Sequence, residues 1–60
     1  MSYSIGTCFY DSNYTKHTIT KIADGFVYHT YNDGGEVRNG VMYQHVFDKL
    51  LAIGNMVIIA

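Results

Sequence analysis

The sequence has no proline, no tryptophan and a single cysteine, Cys8. One cysteine rules out an internal disulfide framework, and no CxxC or Cys/His spacing of the zinc type occurs. The longest apolar runs are four to five residues, far short of the ~20 needed for a membrane-spanning helix. Charge of either sign is also scarce. Four Lys and Arg against five Asp and Glu leave a formal net charge of −1. That balance argues against a nucleic-acid binder driven by phosphate neutralisation, and against a strongly acidic mimic of DNA. Nothing favours a membrane partner. The start, Met1-Ser2-Tyr3-Ser4, lacks the basic stretch and apolar core of a secretory signal, so the expected location is cytoplasmic. Linkers, low-complexity tracts and internal repeats are missing, and residues 1–60 read as one domain.

What is present is aromatic. Tyr and Phe make up 15% of the chain, six of them tyrosines. Tyrosine carries a large apolar body and a hydroxyl that needs a partner, and it is common at interfaces. A domain of 60 residues buries only about 60% of its unfolded surface. Without cross-links it depends on tight packing or on association with another chain.

The clearest pattern lies in the last third. Tyr43, Val46, Phe47, Leu50 and Leu51 fall on one helical face, with Gln44, His45, Asp48 and Lys49 opposite. The helix is expected over 41–53, with Asn39 as N-cap and Gly54 as its stop. Residues 56–59, Met-Val-Ile-Ile, read as a terminal strand.

Earlier, 5–10 reads as a first strand and Asp11-Ser12-Asn13 as a turn. Residues 14–22 read as a second strand; Ile19 and Ile22 are three apart, which suggests a bulge. Asp24-Gly25 is the strongest hairpin signal, because a type I′ turn needs positive φ at two positions. Residues 26–31 form a third strand. A two-residue turn sets Ile22 against Val27, Thr20 against His29 and Thr18 against Tyr31. Asn32-Asp33-Gly34-Gly35 is a second turn, and 36–38 a short fourth strand.

The expected fold class is α+β, mainly β: a curled antiparallel meander of about five strands, with one amphipathic helix before the last. This order resembles small SH3-like barrels, and the resemblance implies closure of the sheet. The alternative is an open curved sheet with the helix across one face.

Signals for chemistry are few. Cys8, His17, His29 and Asp24 form no required thiol–histidine spacing, and Cys8 on an apolar strand reads as a small buried hydrophobe. The three histidines read as surface or half-buried residues, because the expected pairing separates His17 from His29 and His45 sits on the polar helix face. No metal or other cofactor is implied. Residues 32–36 carry too few oxygen ligands for a calcium loop. Phosphate-loop and dinucleotide fingerprints do not occur.

The candidate binding residues are Tyr10, Tyr14, Tyr28, Tyr31 and Arg38, on strands or beside turns. Met56, Val57, Ile58 and Ile59 are the candidate oligomer contact, because an unprotected strand of this kind invites pairing. In size, in Tyr- and Asn-rich composition and in lack of motifs, the chain is similar to small proteins that bacteriophages encode to bind host factors. That resemblance implies a non-catalytic inhibitor or modulator of a host protein of defence or housekeeping, working in the host cytoplasm. The competing expectation is a nucleic-acid or nucleotide-binding module using strand tyrosines. As a homo-oligomer it would sequester a small ligand between protomers. Self-association, to at least a dimer, is expected in either case.

Overall fold

The computed structural model describes residues 3–59. Its elements are β1 (Cys8–Tyr10), β2 (Lys16–Ala23), β3 (Phe26–Asp33), β4 (Glu36–Tyr43), α1 (Gln44–Ala52) and β5 (Val57–Ile58). All five strands join one open antiparallel sheet in the order β4-β3-β2-β1-β5, with β4 and β5 at its edges. The protein is a small α+β, mainly β fold. The pairing among the described residues ends at these edges, so the closure implied by a barrel goes beyond what the sheet shows.

The β2–β3 hairpin turns on Asp24 and Gly25, at φ 55° and 80°. Two consecutive positive φ values give the type I′ geometry that matches strand twist, and glycine takes the second without Cβ strain. Ile22 pairs with Val27, as expected. Beyond that point the register departs from expectation. Thr20 is an extra residue, so Ile19 pairs with His29, Thr18 with Thr30 and His17 with Tyr31. The expected Thr20–His29 and Thr18–Tyr31 pairs are each off by one position. A strand has a two-residue side-chain period, so one inserted residue moves everything before it to the other face. The bulge thereby places Ile19 and His17 on the face of Val27 and His29.

That inner face holds the core. Phe9, Ile19, Val27 and Phe47 are fully buried, with Tyr3 close behind; Ile22, Met42, Leu51, Met56 and Ile58 pack around them. Phe47 meets Phe9 and Tyr3 edge to face, each at 4.9 Å between ring centres. Fully burying one such side chain is worth about 1.5–3 kcal/mol.

The helix is shorter than expected. Residues 41–43 belong to β4, where Val41 pairs with Tyr28, Met42 with Val27 and Tyr43 with Phe26. Asn39 is not a cap; it lies in mid-strand opposite Thr30. The tight turn at Gly34 and Gly35 sets the hairpin register, and pairing with β3 outweighs the weak helical preference of Val41 beside Gly40. The helix begins only where β3 runs out. Its first amide, Gln44 N–H, donates to the carbonyl of Gly25 in the neighbouring turn at 2.8 Å. At the other end Asn55 N–H reaches Leu50 O and Gly54 N–H reaches Leu51 O. This is a Schellman closure, with Gly54 left-handed at φ 82°.

The helix buries less than its pattern implies. Phe47 is buried and Leu50 and Leu51 half-buried, but Val46 is 38% exposed and Tyr43, now on β4, is 56% exposed. Nor is the opposite face wholly solvated. Tyr3 Oη donates to Asp48 Oδ1 and accepts from Gln44 Nε2, so the N-terminal segment latches onto the helix.

Candidate functional site

The helix lies over the inner face alone. On the outer face, β2, β3 and β4 present Lys16, Thr18, Lys21, Phe26, Tyr28, Thr30, Val37, Val41 and Tyr43. These positions alternate with the buried ones and are paired across the strands. No second layer of the described chain covers them.

Across this face runs a ladder of rings. Tyr28 and Phe26 lie 6.4 Å apart, Phe26 stacks on Tyr43 at 5.1 Å, and Tyr43 stacks on His45 at 5.4 Å. The Lys21 ammonium sits 5.3 Å from the centre of the Tyr28 ring. Phe26 and Tyr43 are directly opposed strand partners, which is why their rings meet. Val41 and Val37, 55% and 72% exposed, extend the apolar surface along β4. Both lysines of β2 are on this face, and none of its strand positions carries a carboxylate. Asp33 and Glu36 are paired on the inner side, where Arg38 Nε donates to Asp33 Oδ2 at 2.7 Å and Nη2 to Glu36 Oε2 at 3.3 Å.

At the far end of the outer face is a shallow groove of about 410 Å³. It is lined by Tyr10, Asp11, Ser12, Tyr14, Gly54, Asn55 and Val57. Tyr10 and Val57 are partners across β1 and β5. Tyr14 projects from the loop, 85% exposed, with its backbone in the left-handed region at φ 62°. Asp11 holds this loop. Its Oδ1 accepts from Asn13 N–H at 2.8 Å and Thr15 N–H at 3.0 Å, and its Oδ2 accepts from His17 Nε2 at 2.8 Å.

Behind Asp11 is a network that the pairing read from sequence missed. His17 and His29 are both buried, with Nδ1 to Nδ1 at 3.0 Å. This overturns the expectation of separated, surface or half-buried rings. The cause is the Thr20 bulge, which makes them diagonal neighbours on one face. Ile19 and Ile22, three apart, were the available signal. His17 Nε2–H donates to the carboxylate, and one proton between the two Nδ1 atoms links His17 to His29. Phe9 stacks on His17 at 4.8 Å, and Tyr31 leans over it at the same distance. Burial, then the neighbouring His17, pulls the His29 pKa below its usual value, with Asp11 opposing. For Asp11, burial acts upward, but the hydrogen bonds from His17, Thr15 and Asn13 prevail and the net shift is downward. Cys8 is on the opposite face, half-buried rather than buried, its Sγ 3.5 Å from Thr18 Oγ1.

The five candidate binding residues therefore do not form one site. Tyr10 and Tyr14 line the groove, Tyr28 belongs to the ring ladder, Tyr31 packs on His17 and Arg38 is engaged in exposed ion pairs. Phe26, Tyr43 and His45 complete the ladder but were not among the candidates. Of the terminal stretch, Met56 and Ile58 are half-buried against the core, while Val57 and Ile59 are exposed. No group of three or more metal-ligating side chains converges among the described residues.

Fold and surface together define a small, mainly β protein with one covered and one open sheet face. Comparison with protein-family models, with curated proteins and with solved structures finds no match to this chain. No helix among the described residues is long and apolar enough to cross a membrane.

Proposed function

We propose that this chain is a non-catalytic interaction protein that docks a partner protein on its open sheet face and occludes the surface it covers. The observation that carries the reading is the uncovered ladder of Tyr28, Phe26 and Tyr43 beside exposed Val37 and Val41. Clustered tyrosines in a desolvated patch are the residues that carry most binding energy in protein interfaces.

A single nucleic-acid strand stacking on the same rings is the second reading, favoured by Lys16 and Lys21 on a face without carboxylates. Magnitude ranks it lower. Two lysines neutralise two phosphates, a salt slope of only about −1.4 for a single strand, which is a small electrostatic contribution. The exposed valines offer no ring for a base to stack on.

In this reading the protein partner is a host factor and the chain a phage-encoded inhibitor, supported by size and composition alone. Self-association to at least a dimer belongs to the same reading, with exposed Val57 on the short edge strand and Ile59 just after it as the contact. Light scattering at high micromolar concentration tests it, and a monomer there removes it.

The docking face is tested by capture from bacterial lysate with the wild-type chain and the Phe26→Ala/Tyr43→Ala variant. Support is a specific protein held by the wild type, lost with the variant, and still held between about 0.1 and about 0.5 M salt, where binding through phosphates falls away steeply. Equal capture by both chains sinks the reading. Retention of a single-stranded oligonucleotide that falls away with salt transfers it to nucleic acid.

A further inference from the structure

The groove at the end of the outer face has a composition of its own. Tyr10 and Tyr14 both line it, and Asp11 is the only charged residue of its lining. Asn55 and Ser12 add oxygen acceptors. The Asp11 carboxylate has three donors on it, which leaves one of its roughly four acceptor positions open. Asp11 supplies the only carboxylate of the lining. A ring face attracts a cation through its quadrupole, and a carboxylate beside it adds a direct charge.

The second observation is Tyr14 itself. A bulky residue with φ 62° is a backbone outlier, and strain of this kind costs about 1–3 kcal/mol. At 85% exposure the ring recovers little by packing. Four hydrogen bonds nevertheless hold the loop: Asn13 and Thr15 on the Asp11 side chain, and Tyr14 N–H to Asp11 O and Asp11 N–H to Thr15 O on the backbone. The loop is thus a rigid mount that presents a ring to solvent beside a carboxylate.

We infer that this groove is a binding site for a cationic side chain, lysine or arginine, of the docked partner, seated between Tyr10 and Tyr14 over Asp11. The inference rests on the reading of the outer face as a docking surface, and it names the chemistry recognised at one end of that face. Lys16, the cross-strand partner of Tyr10, stands beside the groove but outside its lining.

The test uses a probe in place of the partner. N-acetyl-lysine methylamide is titrated into the intact chain, and the ring resonances of Tyr10 and Tyr14 are followed by NMR. The neutral isostere N-acetyl-norleucine methylamide is the control. The expected result is saturable shifts at both rings with the lysine probe, with the norleucine probe at least fivefold weaker. Asp11→Asn keeps the acceptor for the turn and removes the charge; it is expected to weaken binding about fivefold. Tyr14→Gly relieves the backbone strain and removes the ring. It is expected to raise the unfolding midpoint while abolishing the shift at Tyr10. Equal binding of both probes overturns the inference, as does unchanged binding in Tyr14→Gly with the fold intact. Because the probe touches neither Phe26 nor Tyr43, failure here is distinguishable from failure of the docking face, which the ladder variant reads.

Discussion

The Nδ1 atoms of His17 and His29 face each other at 3.0 Å in the interior of the sheet, with Asp11 on the far side of His17. Two facing nitrogens form one hydrogen bond when a single proton lies between them. A second proton sets N–H against N–H and breaks the contact. The geometry thus holds this part of the core only while the pair is not doubly charged.

Stability is therefore expected to fall on the acid side. His29 has a folded pKa below its unfolded 6.5, so the unfolded chain binds more protons once pH drops below that value. The contribution is complete above pH 6.5 and is lost as pH falls towards the folded value. Asp11 adds a second loss below 3.8, its unfolded value, as pH falls through its lowered folded value. Urea midpoints from pH 8 to pH 3 check both steps, and His29→Gln should flatten the first. A wild-type midpoint unchanged between pH 7 and pH 5 contradicts the assignment.

Gly40 packs directly beneath His29. A Cβ added there would stand 2.5 Å from His29 Cε1, inside any tolerated contact. Gly40→Ala is expected to cost about 1–3 kcal/mol, although alanine suits a strand better than glycine. The double variant Gly40→Ala/His29→Ala should recover much of that loss, read as a coupling in a denaturation cycle. Additive costs would show that the ring and the strand do not touch.

The latch between Tyr3 and the helix gives an alkaline counterpart. Burial first, then the bond to Asp48, raises the Tyr3 pKa above its usual 10.0. The folded chain keeps this proton when the unfolded chain has lost it. Stability is complete below pH 10.0 and is lost as pH rises through the folded value. Tyr3→Phe should flatten that limb and cost about 1–2 kcal/mol at neutral pH through the lost bonds to Asp48 and Gln44. Thermal melts at pH 7 and pH 10.5 separate the two effects.

Deleting Thr20 should regularise the β2–β3 ladder and leave its faces unchanged. Ile19 and Lys21 already stand opposite the adjacent residues His29 and Tyr28, so joining them directly keeps Ile19 opposite His29 and His17 opposite Tyr31. Near-ultraviolet circular dichroism and a denaturant titration should show a cooperative transition with the buried rings still ordered. A deletion variant with no cooperative transition would mean that Thr20 itself, and not the parity it sets, holds the core.

Local chemistry made much of this fold readable in advance. The Asp24-Gly25 turn, the Ile22–Val27 pair, the Gly54 helix stop and the strand–helix–strand order rest on neighbours in sequence. The helix start did not yield to the same reasoning. Val41 to Tyr43 fit a helical stripe equally well, and only pairing with β3 assigns them to β4. The site was legible in part. Tyr10, Tyr14 and Tyr28 read as binding residues from their place on strands or beside turns, but Phe26 falls outside those candidates and Tyr43 reads as part of the apolar helix stripe. Which face stays open depends on where the single helix lies.

By itself the sequence determined a small, uncross-linked, mainly β chain with a tight type I′ turn at Asp24-Gly25, one helix and a high share of tyrosine. Those properties follow from composition and from dihedral preferences acting over a few residues. The tertiary structure decided the parity of β2, and with it the His17–His29 contact, the bare strand position at Gly40 and the separation of a buried face from an aromatic one. A single extra residue in a two-residue repeat exchanges the faces, and only the competition for one small interior selects which set of side chains is buried.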